Sequence, residues 1–180
     1  MKSMFARLFL LYVMSSCNQA DSAIYFLPQN FSGTFAVVYN QKEGAKVNRN
    51  GKHEFNIPEN GILLTQEKFS EGWRNDIFLI KTEQGFDTLK MYLPNMDTTG
   101  KKFDETYYKN YTNNGNQVAV NFRQIRRGTF NKFDSTGKKI GSCDFEYEII
   151  TIGKANELND SVGKVFLSNL EKYFQDTLCK

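Results

Sequence analysis

Apolar and polar positions alternate along most of this chain with the period of two that marks half-buried strands. "GSCDFEYEIIT" (141–151) is the clearest case: Cys143, Phe145, Tyr147 and Ile149 fall on one face. Ser142, Asp144, Glu146 and Glu148 fall on the other, which predicts a strand with its core side inside and its acidic side in water. "KHEFNI" (52–57) repeats the pattern, with His53, Phe55 and Ile57 together. Further extended runs are "IYFL" (24–27), "GTFAVVY" (33–39), "GILLTQ" (61–66), "DIFLIKT" (76–82), "FDTLKMYL" (86–93), "QVAVNFRQI" (117–125) and "GTFNKF" (128–133). Turn-forming residues separate them at Lys42-Glu43-Gly44, Arg49-Asn50-Gly51, Glu83-Gln84-Gly85 and Asp134-Ser135-Thr136-Gly137. In "IPENGILL", Pro58 fixes the first corner of a turn, and Asn60 and Gly61 supply left-handed conformations. That predicts a hairpin whose Phe55, Ile57, Ile62 and Leu64 share one core.

The period changes to that of a helix near the end. Leu158, Val162, Val165, Phe166, Leu170, Tyr173, Phe174 and Leu178 form one stripe, with Asn159 or Asp160 as cap. The expected architecture is a mainly β, antiparallel sandwich or barrel with a C-terminal helix, about 158–178, packed on it. Residues 94–116 show no steady period and read as a long loop carrying Tyr107, Tyr108 and Tyr111. No internal repeat is evident.

The first residues, "MKSMFARLFLLYVMSSC", follow another order: Lys2 and Arg7, an apolar run from Leu8 to Met14, then Ser15, Ser16 and Cys17. That order predicts an export signal over 1–16, too short for the ~20 apolar residues that span a bilayer. Its "MSSC" ending resembles a bacterial lipobox, with Met14 where leucine is usual. The resemblance implies cleavage before Cys17, a diacylglycerol on its sulfur and fatty acid such as palmitate holding the protein to a cell-envelope membrane. Residues 17–23 then form a lipidated tether, and 24–180 a single domain.

Loss of Lys2 and Arg7 from the 23 basic residues leaves 21, against 20 acidic ones. A near-neutral body gives no reason to expect nucleic acid as a partner. In an oxidising envelope Cys143 and Cys179 could bridge or stay separate thiols.

The pattern Leu27-Pro28, Phe31, Gly33, then Ile57-Pro58-Glu59-Asn60-Gly61, then Gly72-Trp73, resembles a domain-of-unknown-function family of small bacterial envelope lipoproteins. It implies an envelope location and a β-rich domain, and no reaction. The first half also resembles prealbumin-like sandwich modules.

Chemistry is sparse. His53 has no nucleophile motif beside it, and one histidine with two non-lipid cysteines is a poor zinc set. No phosphate-binding loop, dinucleotide fingerprint or calcium loop occurs, so neither cofactor nor metal is expected. Glu67, Glu71 and Asp76 flank Trp73 and could in principle serve a glycan hydrolase. Arg123, Arg126, Arg127 and Lys132 cluster about an Arg-Arg-Gly turn. With Trp73 and the tyrosines Tyr107, Tyr108 and Tyr111, these arginines make the candidate binding surface. The expected function is a non-catalytic, membrane-anchored binding or envelope-assembly module for an unknown protein or glycan. A lipocalin-like carrier of an apolar molecule and a glycan-directed hydrolase are the alternatives.

Overall fold

The computed structural model describes residues 22–47, 52–70, 74–91, 118–154 and 160–179. Cys17, Trp73, Glu71, Tyr107, Tyr108, Tyr111 and the 94–116 segment lie outside them.

The strands are β1 (Ala23–Leu27), β2 (Gly33–Val38), β3 (His53–Asn56), β4 (Ile62–Leu64), β5 (Ile77–Thr82), β6 (Gly85–Thr88), β7 (Lys90–Met91), β8 (Ala119–Phe133) and β9 (Lys139–Gly153). They form one sheet ordered β3-β1-β5-β6 and a second ordered β4-β2-β9-β8-β7. The sheets pack face to face as an open-edged sandwich and do not close into a barrel. Helix α1 (Asp160–Tyr173) continues into a π-helical turn, Phe174–Leu178, and covers the outer face of the second sheet.

Pairing is mixed, not antiparallel throughout. β1 runs parallel to both β3 and β5, and β2 parallel to β4. The reason lies in the Pro-Glu-Asn-Gly corner. Pro58 O accepts from Gly61 N at 2.9 Å, Asn60 Oδ1 accepts from Ile62 N, and Gly61 takes φ +72°. Asn60 itself keeps negative φ. The corner does not close a hairpin within one sheet. It carries the chain from β3 in the first sheet to β4 in the second. Phe55 and Ile57 therefore join the core between the sheets, whereas Ile62 and Leu64 face the helix and Leu63 points inward.

An equivalent corner, 28–32, carries β1 into β2. Phe26 is opposite Asn56, and Ile57 N donates to Phe26 O at 2.9 Å. The register thus sets Leu27-Pro28-Gln29-Asn30 over Ile57-Pro58-Glu59-Asn60. Two stacked arches are an internal repeat that the sequence reading missed, because only the aliphatic-Pro-x-Asn corner is shared.

Burial on both sides of the second sheet explains the remaining differences. Tyr25, Phe35, Phe55, Phe78, Ile150 and Ile152 fill the space between the sheets. Val38, Phe145, Tyr147, Ile149, Leu170 and Phe174 fill the layer under the helix. Glu148, expected in water, is fully buried. The Arg126-Arg127-Gly128 segment is strand interior, since β8 runs unbroken opposite β9. A Cβ at Gly128 would stand 2.8 Å from the Phe130 ring, so a side chain there would require that ring to shift. The described part of the 86–93 run, residues 86–91, splits: β6 stays in the first sheet, and β7 pairs with β8 in the second.

Cys143 and Cys179 form a disulfide, with Cα atoms 5.7 Å apart. The bond fastens the end of the helical segment to β9.

Candidate functional site

Glu148 sits on the inner face of β9, where the sandwich would otherwise be apolar. A buried carboxylate needs partners, because desolvation of an unpaired charge costs several kcal/mol. It has four. Tyr39 Oη donates to Glu148 Oε2 at 2.9 Å, and Arg74 Nη2 donates to the same oxygen at 2.7 Å. Arg123 Nε pairs with Oε1. Tyr25 Oη lies farther off, 3.4 Å from Oε2.

Asp76 completes the set. Its Oδ1 accepts from the backbone N–H of Ala23 at 2.7 Å, fixing the start of β1. Its Oδ2 lies 2.6 Å from Arg123 Nη2, though no N–H is aligned along that line, so the contact is ionic rather than a directed hydrogen bond. Arg74 Nε stands 3.6 Å from the same oxygen. Two guanidinium groups and two carboxylates thus meet between the sheets. Arg74 and Asp76 come from the approach to β5, and Arg123 and Glu148 from β8 and β9.

Aromatic rings wall the cluster. Tyr25 stacks on Phe78 with centroids 4.7 Å apart, and Arg74 lies over Phe69 at 5.5 Å. Burial, and then the charge of Glu148, push both tyrosine hydroxyls well above a phenol's ordinary range. They act as neutral donors.

Chemically the cluster is spent on itself. Both carboxylate side chains are completely buried, and each faces the two arginines. A general acid or nucleophile must reach a substrate; Asp76 and Glu148 have no such access. The residues expected to share a basic surface are dispersed. Arg123 lies inside the cluster, Arg126 donates to Gln124 Oε1, and Arg127 pairs with Glu146 at 2.7 Å on the exposed face. Of the proposed glycan-cleaving acids, Asp76 is locked away and Glu67 approaches His53 at 3.7 Å. His53 also stacks on Phe55. Among the described residues no group of three His, Cys, Asp or Glu could hold a metal.

Sequence reasoning missed Tyr25, Tyr39, Arg74 and Glu148 as a unit. The available signal was Glu148 itself, an acid placed just before the apolar Ile149-Ile150.

The fold and its polar centre define a class: a small β-sandwich with one helix-covered face, held by an internal ionic cluster. The chain belongs to the Family of unknown function (DUF6843), whose model matches residues 19–121. That match spans both arches, Arg74 and Asp76, and stops short of Arg123 and Glu148. No curated protein matches the chain. A solved structure described as "Putative Lipoprotein from Bacillus anthracis" is similar at 11% identity. The similarity covers 87% of this chain and 96% of that one, with a TM-score of 0.48.

Proposed function

We propose that this is a lipid-anchored bacterial envelope protein, acylated at Cys17, that works as a non-catalytic binding or assembly module. The observation that carries the reading is the order of residues 1–17: cationic start, short apolar run, two serines, cysteine. Only residues 18–22 separate that cysteine from Ala23, where β1 begins. Two or more acyl chains give stable anchoring, where a single chain gives marginal binding.

The non-catalytic half of the reading rests on the cluster. The acids and bases gathered in the interior are committed to one another, as a structural lock requires and a reaction centre does not. A lipocalin-like carrier would need an emptied, closed barrel, and aromatic side chains occupy the space between these open sheets. No observation favours the hydrolase.

The anchor is tested by growing cells with labelled palmitate and comparing the parent protein with Cys17→Ala. The parent should carry label and sediment with membranes, and the variant should do neither. Equal labelling of both proteins would end the proposal.

A further inference from the structure

We infer that the tip of the β8–β9 hairpin is a second membrane contact, which seats the domain on an anionic lipid surface beside its anchor. The inference rests on the anchored reading above and adds a surface and a partner to it.

Strand direction places the tip. β1 runs from Ala23 toward the 28–32 corner, and β2 returns from it, so Ala23 and Val38 lie at the end opposite the corners. β9 is antiparallel to β2, with Ile152 opposite Gly33 and Tyr147 opposite Val38. Residues 139–146 of β9 therefore run on past β2, beyond the end where the tether joins. The ionic cluster ties the two levels together, because Asp76 binds Ala23 N and Arg123, and Arg123 binds Glu148.

Reach decides whether the tip meets lipid. Eight strand residues at ~3.3 Å each carry the hairpin about 26 Å past Tyr147. From Cys17 to Ala23 is six steps, roughly 22 Å at most when fully extended at ~3.6 Å per step. A tether that short cannot hold the body farther from the bilayer than the hairpin reaches.

The surface of the tip fits such a contact. Phe133 is 44% exposed and Ile140 is 55% exposed. Phe133 lies opposite Lys139 across the hairpin, Lys132 precedes Phe133, and Lys138 and Lys139, both exposed, precede Ile140. The nearby acid, Asp134, is occupied: its Oδ1 accepts from Thr136 N, Thr136 Oγ1 and Lys138 N. Those bonds stiffen the turn and hold its carboxyl below the usual carboxylate range, so it stays anionic, outnumbered at the tip by Lys132, Lys138 and Lys139. Edge lysines alone would serve to discourage strand pairing. They do not account for a phenylalanine and an isoleucine held in water beside them. Exposed apolar side chains flanked along the hairpin by cations match the boundary between acyl chains and anionic headgroups.

The test uses the intact acylated protein in vesicles of phosphatidylglycerol and phosphatidylcholine, with and without brominated acyl chains. Phe133→Trp and, separately, Ile140→Trp place a reporter at the tip, and the parent's Trp73 signal is subtracted. Flotation of the parent and of Cys17→Ala scores the anchor independently. The added emission should shift to the blue and be quenched at least twofold by brominated lipid. Lys138→Glu with Lys139→Glu should remove most of that quenching. Unquenched reporters at both positions on protein that floats would overturn the hairpin contact and leave the anchor standing. Acylated protein that fails to float overturns both. Protection of the tip that depends on protein concentration instead of lipid would assign it to a second copy of the chain and also overturn the inference.

Discussion

Glu148 is the residue on which the interior turns. It is fully buried and shared by Arg74, Arg123 and Tyr39. Replacing an entire buried ion network by well-packed apolar residues is often neutral, but removing one member strands the others. Glu148→Gln should therefore lower unfolding free energy by about 3–5 kcal/mol, measured by chemical denaturation. Simultaneous apolar replacement of Arg74, Asp76, Arg123 and Glu148 should cost much less than the single change. Tyr25 and Tyr39 give a pH prediction. Their folded pKa values lie above the ordinary value near 10, so the folded state keeps protons that the unfolded chain loses. The stabilising effect is complete below pH 10 and declines as pH rises beyond it. Ultraviolet titration should show these two tyrosines ionising only with alkaline unfolding. At this scale the sequence was partly legible. Alternation places Phe145, Tyr147 and Ile149 on a core face, where the structure has them, but it places Glu148 in water, where the structure buries it. Alternation cannot reveal that the second face is covered; the unbroken apolar runs in Phe35–Tyr39 and Ile149–Ile150 could have, since such runs mark strands buried on both faces.

The elements show what local turn chemistry can and cannot specify. Pro58 and Gly61 do make a corner, yet nothing local says whether its two arms pair with each other or with different sheets. Each arm pairs in parallel with the matching arm of the first arch, a long-range choice. Gly61 is the conformational hinge of the second arch. Its φ of +72° disfavours any side chain, and a Cβ would stand 3.0 Å from Thr34 O. Gly61→Ala should cost about 1–2 kcal/mol, seen as a lowered denaturation midpoint with an unchanged slope. The C-terminal helix was legible because its stripe is long and its period distinct. Its fastening was not, because two cysteines 36 residues apart in sequence do not reveal their distance in space. Closing a loop of that length contributes up to about 4 kcal/mol through chain entropy. Reduction of the bond, or Cys179→Ser, should lower Tm and expose the helix amides to hydrogen exchange before those of β2.

The described residues form three layers: a sheet, a sheet buried on both faces, and a helix. The β-rich character and the terminal helix follow from periodicity; the choice of a sandwich over a barrel and the mixed pairing of its strands do not, because both are set by long-range contacts. The polar centre does not follow, because Arg74, Asp76, Arg123 and Glu148 are brought together from separate strands. Among the described residues no helix is long and apolar enough to cross a membrane. The proposed attachment rests on Cys17 and on the β8–β9 hairpin. The most direct measurement is the intact mass and N-terminal sequence of native protein extracted from membranes. The account predicts a chain that begins at Cys17 and carries diacylglycerol and fatty acid. A chain that still begins at Met1, with an unmodified Cys17, would contradict it.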